Sequence, residues 1–68
     1  MKTILGIDPG TNILGFGVIR TEGNKAEYVE MGVIDLRKEK DPYMKLYRIF
    51  NEIGDICDRY FPDEMALE

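Results

Sequence analysis

The feature that most narrows what this chain can fold into is an apolar run that ends on a carboxylate and turns at once. Ile4-Leu5-Gly6-Ile7 leads to Asp8, Pro9-Gly10 follows, and a second apolar run begins at Ile13. Pro9 has no N–H to give a sheet ladder and Gly10 tolerates tight-turn angles, so a first strand ends here and the chain reverses. A single carboxylate is thereby placed at a strand's end. Two readings of Asp8 stand open. In the structural one, its side chain accepts backbone N–H groups two residues on and starts the turn. In the functional one, a carboxylate at the mouth of a sheet holds a divalent cation against a phosphate.

A chain of 68 residues makes one domain at most, and at that length only about 60% of the unfolded surface is buried. Its lone cysteine rules out an internal disulfide, and the absence of histidine rules out a structural zinc cluster. With 44% hydrophobic and 32% charged residues, the composition is that of a folded protein. The N-terminus has no secretion pattern, and no run approaches the roughly 18 apolar residues of a membrane helix. A cytoplasmic protein with no membrane partner is the expectation.

The net charge of −4 argues against nucleic-acid binding by the chain as a whole. Its distribution is less uniform. Residues 37–48 carry Arg37, Lys38, Lys40, Lys45 and Arg48 against Glu39 and Asp41, while the segments on either side are acidic. The basic segment reads as a solvated loop and helix face, with phosphate contact by Lys38, Lys40 and Lys45 as the alternative.

Taken in order, residues 3–8 read as an interior strand and 13–20 as a second, with Leu14, Phe16 and Val18 on one face and Ile13, Gly15, Gly17 and Ile19 on the other. Two glycines on one face leave room for something to lie close. Gly23-Asn24 makes a hairpin turn, both residues supplying positive φ. Residues 26–34 alternate as a third strand, Tyr28, Glu30, Gly32 and Ile34 against Val29, Met31 and Val33. Asp41 caps a helix, with Pro42 in its first turn. Leu46, Ile49, Phe50, Ile53, Cys57 and Tyr60 recur at helical spacing as one apolar stripe, so Cys57 is read as packing. Gly54 suggests a close approach there, and Pro62 ends the helix. Glu64-Met65-Ala66-Leu67-Glu68 opens a fourth strand, and a strand reached through a helix usually lies parallel to an earlier one. The expected fold class is α/β, a three-stranded antiparallel meander, a helix and a parallel fourth strand, with a core too small for its apolar surfaces and hence a truncated domain.

If the fourth strand lies parallel beside the first, Asp8 and Glu68 end neighbouring strands about 5 Å apart. Ligands of open α/β sheets bind at that edge, and a divalent cation relieves the repulsion of two facing carboxylates. The structural alternative is that Glu68 is an acidic residue without a role.

The run Ile4 to Thr11, continued through Gly15-Phe16-Gly17-Val18-Ile19 and joined a helix later by Phe61-Pro62-Asp63-Glu64-Met65-Ala66-Leu67-Glu68, closely resembles the N-terminal part of the RuvC family of bacterial Holliday-junction resolvases. The resemblance covers the whole chain, including Leu46, Ile49, Ile53 and Ile56 of the helix. It implies a ribonuclease-H-like nuclease domain of which residues 1–68 are the N-terminal part. It implies a homodimeric endonuclease that cuts paired strands of four-way junction DNA in recombination and repair, with two Mg²⁺ ions per site. Branch-migration proteins RuvA and RuvB are the implied partners. Of the family's four metal-holding acids, Asp8 matches the first and Glu68 the second, with the other two beyond residue 68. Backbone groups around Gly10 and Thr11 are expected to shape the approach of the substrate phosphate. The 68 residues alone are expected to be inactive. A nucleotide-binding domain of the actin, heat-shock chaperone and sugar-kinase type shares the strand, acid and Gly-Thr turn and is the alternative from another class. A YqgF-like nuclease is the nearer alternative.

Overall fold

The computed structural model describes residues 1–68 and contains β1 (Lys2–Pro9), β2 (Ile13–Glu22), β3 (Lys25–Asp35), α1 (Pro42–Tyr60) and β4 (Glu64–Leu67). The strands form one sheet of order β3-β2-β1-β4. Neighbours are antiparallel across the meander, and β4 is parallel to β1, as the helical crossover requires.

Alternation along β1 divides its side chains between two faces. Thr3, Leu5 and Ile7 are buried on the face that α1 covers, whereas Ile4, Gly6 and Asp8 point to the other. Leu5, Ile7, Leu14, Val18, Ile34, Leu36 and Ile56 make up the core, with Phe16, Val29, Ile49, Ile53, Cys57 and Tyr60 packed around it. Full burial of one such aliphatic side chain is worth roughly 1.5–3 kcal/mol. The core therefore lies wholly between one sheet face and one helix.

Asp41 caps α1, accepting from the Tyr43 N–H at 2.9 Å. At the other end Phe61 enters the left-handed region (φ 47°) and its N–H donates to the Cys57 carbonyl, after which Pro62 prevents further helix. Arg48 donates to the Asp35 carbonyl at 2.6 Å, and the Tyr60 hydroxyl donates to Glu30, so both ends of the helix are tied to β3.

Four local expectations change. Leu46 and Phe50 are exposed and the buried helix residue is Ile56, because the covered stripe runs through Ile49, Ile53 and Ile56 and is narrower than the periodicity suggested. Gly54 meets no neighbour and marks no close approach. The β2–β3 pairing slips between Val18 and Ile19, which pair with Glu30 and Tyr28, leaving Val29 as an extra residue. That bulge moves Tyr28 off the face of Glu30 and onto the face of Met31 and Val33. In the hairpin turn only Gly23 has positive φ (61°), the sign pattern of a type II′ turn, which asks nothing special of Asn24.

Candidate active site

The carboxyl end of β1 is shaped by a turn that needs glycine. A Cβ on Gly10 would lie 2.5 Å from the Ile13 carbonyl oxygen, closer than any side chain tolerates. Asp8, Pro9, Gly10, Thr11 and Asn12 are all exposed along this rim. Asn12 anchors the turn from two sides, since its carbonyl accepts from the Leu36 N–H at 2.7 Å and its side-chain oxygen accepts from Lys45 Nζ at 3.3 Å.

The second acid is delivered by β4. Ile4 to Ile7 of β1 pair with Glu64 to Leu67, and the Glu68 N–H donates to the Ile7 carbonyl at 3.1 Å. Continuing that register by one residue sets Glu68 beside Asp8. Residues level with one another in a parallel pair share a face, so both carboxylates belong to the open side of the sheet, on strands about 4.8 Å apart. The register is fixed at the other end of β4. Asp63 accepts from the Thr3 N–H at 2.8 Å through its side chain and donates its own N–H to the Thr3 carbonyl at 2.7 Å, while Lys2 pairs with Glu64 at 2.9 Å. Glu68 is thus held at its own rim by Ile7 and kept in register by contacts at the far rim.

Asp8 and Glu68 stand at the end of a shallow groove of about 660 Å³ floored by Gly6, Gly15, Gly17 and Ala66 and walled by Tyr28 and Met31. Gly15 pairs with Asp8 and Gly17 with Gly6, so glycines flank the acid strand and leave the groove open. The two small residues on one face of β2 therefore make space rather than close packing with a helix. Tyr28 occupies part of that space, its ring 3.4 Å from where a Gly17 Cβ would be.

The donor set is two exposed carboxylates on adjacent strands, and nowhere does the chain gather three or more His, Cys, Asp or Glu side chains suited to holding a metal. Two carboxylates suit Mg²⁺, which keeps several waters and is commonly held by one or two acids plus substrate phosphate. They do not suit a cation that demands a full protein cage.

Away from Asp8 and Glu68, four ion pairs form, Lys2–Glu64, Arg37–Asp35, Arg48–Glu52 and Arg59–Glu30. Arg37 grips Asp35 through both carboxylate oxygens and holds its carboxyl well below the usual range. Glu64 raises Lys2 by hydrogen bond and charge, and the hydrogen bond to Glu30 raises the Tyr60 phenol. Sequence reasoning singled out Asp8, Glu68, Gly10 and Thr11 as candidates, and all four lie on one rim. It missed the anchoring by Asn12 and the latch at Asp63, because each depends on partners more than 30 residues away.

A mixed sheet of this order, with a meander, one crossover helix and an acid at each of two neighbouring strand ends, is the ribonuclease-H-like fold, and solved structures share it. A Thermus thermophilus RuvC structure superposes with a TM-score of 0.86 at 28% identity, covering 96% of this chain and 43% of that one. T. thermophilus RuvC in complex with Holliday junction substrate gives 0.89 at 26% identity, covering 98% and 41%. The profile of the family described as crossover junction endodeoxyribonuclease RuvC matches residues 4–68, and this chain belongs to that family. Among curated relatives, crossover junction endodeoxyribonuclease RuvC of Bacteroides fragilis is 51% identical over 67 residues, 98% of this chain and 36% of the relative, and that of Christiangramia forsetii is 48% identical, covering 98% and 35%. The chain spans about a third of the length of these relatives. No helix is long and apolar enough to cross a membrane.

Proposed function

We propose that residues 1–68 are the N-terminal part of one ribonuclease-H-like nuclease domain, and that the whole protein resolves four-way DNA junctions by hydrolysing phosphodiester bonds. The observation that carries this reading is the adjacency of Asp8 and Glu68 on the open face, beside a glycine-floored groove, in a member of the RuvC family. The family match, and a neighbour solved with Holliday junction substrate, favour the nuclease over the nucleotide-binding and YqgF-like alternatives.

Asp8 and Glu68 would hold Mg²⁺, two ions per site once further acids beyond residue 68 join them. Bound there, the metal supplies an oriented water on one side of the scissile phosphate and charge stabilisation of the leaving oxygen on the other. The backbone around Gly10 and Thr11, free of bulk, lets the phosphate approach the acids. The glycine floor admits the sugar-phosphate chain along the groove. Two opposed cuts need two such sites, which a homodimer provides, and branch-migration partners of the RuvA and RuvB type would deliver the junction in the cytoplasm.

The test uses a protein of the relatives' full length that carries this sequence. Asp8→Asn and Glu68→Gln should each reduce Mg²⁺-dependent junction cleavage by at least 100-fold, with junction binding kept or improved, because a negative group facing phosphate has been removed. Cleavage at the unsubstituted rate by either variant overturns the assignment.

A further inference from the structure

The chain has nine Lys and Arg residues. Four are paired with carboxylates: Lys2 with Glu64, Arg37 with Asp35, Arg48 with Glu52 and Arg59 with Glu30. The five others separate by position. Arg20 and Lys25 flank the β2–β3 hairpin, at the rim remote from Asp8. Lys38 and Lys40 lie in the connector from β3 to α1, and Lys45 lies in the first turns of α1. β3 ends level with the start of β2, which itself starts beside the end of β1, so this connector shares the rim of Asp8 and Glu68. Lys45 is fixed there directly, because its ammonium donates to Asn12 of the Asp8 turn.

We infer that Lys38, Lys40 and Lys45 form a docking strip for the DNA backbone flanking the scissile phosphate, with Lys45 set by Asn12. This rests on the nuclease reading of Asp8 and Glu68 and adds the residues that draw the strand to them. The two acids repel a phosphodiester until metal is bound, so the attraction must come from cations beside them. Asn12 is four residues past Asp8, at most about 14 Å even for extended chain. Each DNA strand carries a phosphate roughly every 3.4 Å of helix axis, so a strand with one phosphate at the acids has others within reach of the strip a few nucleotides away. The acids of this segment leave the strip free. Asp41 is engaged with the Tyr43 N–H, and Glu39 forms no ion pair with any of the three lysines.

The experiment measures four-way-junction binding by the full-length protein, without divalent metal, between 50 and 200 mM salt. Each phosphate contact contributes about 0.9 to the slope of log affinity on log salt. Lys38→Gln/Lys45→Gln should therefore flatten the loss of affinity over this range by about 12-fold. Lys45→Arg and the control Arg20→Gln/Lys25→Gln should keep the unsubstituted slope. Lys38→Gln/Lys40→Gln, confined to the exposed connector, gives the same reading without touching α1. An unchanged slope in both rim variants, or an equal change in the control, overturns the inference. Failure of the nuclease reading is separately visible as a protein that binds junctions and never cuts them with Mg²⁺, a result that leaves the slope comparison intact.

Discussion

The two faces of this sheet are made from alternate residues of the same strands, and they differ in kind. The covered face presents Leu5, Ile7, Leu14, Val18 and Ile34, branched aliphatics that interlock with α1. The open face presents Gly6, Gly15, Gly17 and Ala66 around Asp8 and Glu68, with Tyr28, Met31 and Val33 each about two-thirds exposed. One face stores the folding free energy of the domain, and the other spends side-chain volume to leave a channel. The comparison teaches that the acids can be altered without touching what holds the sheet together, provided that β4 keeps its register.

The largest effect expected of that division is on the covered face. Leu5, fully buried, should lose about 2–5 kcal/mol on Leu5→Ala, whereas Met31→Ala on the open face should stay within about 0.5 kcal/mol, both read from denaturant midpoints. Equal losses would break the comparison. Next comes the latch between the faces. Asp63→Ala leaves the Thr3 N–H without its partner and should cost about 1–3 kcal/mol, with faster amide exchange along β4 than along β1. Uniform exchange across the sheet would show that β4 does not depend on Asp63. The smallest effect is the pH response of Asp35. Its folded carboxyl is held below its unfolded value by Arg37, so its contribution is complete above about pH 4 and is lost as pH falls toward the folded value. Arg37→Gln should remove that contribution, so the variant is slightly less stable than the unsubstituted protein at pH 7 and the difference narrows at pH 3, as measured by denaturation at both pH values.

Most of the architecture was legible because it rests on local chemistry. Pro9-Gly10, Gly23, Asp41-Pro42 and Pro62 mark the element boundaries by conformational preference, and the structure places elements where they direct. The acids were legible for the same reason, since each ends an apolar run. What the sequence hid is non-local or a matter of a single residue's phase. The extra residue at Val29 shifts Tyr28 to the other face, and no composition signal marks that bulge. The exposure of Leu46 and Phe50 depends on how α1 rolls against the sheet, which a helical period of three and four cannot specify. Asn12 and Asp63 read as ordinary turn residues until their distant partners are known.

The hold on β4 has a consequence for the acid pair. Lys2, Thr3, Asp63 and Glu64 fix the strand's register at the rim opposite Asp8. A substitution there that let β4 slip by one residue would turn Glu68 to the covered face, undoing the pair without touching either acid.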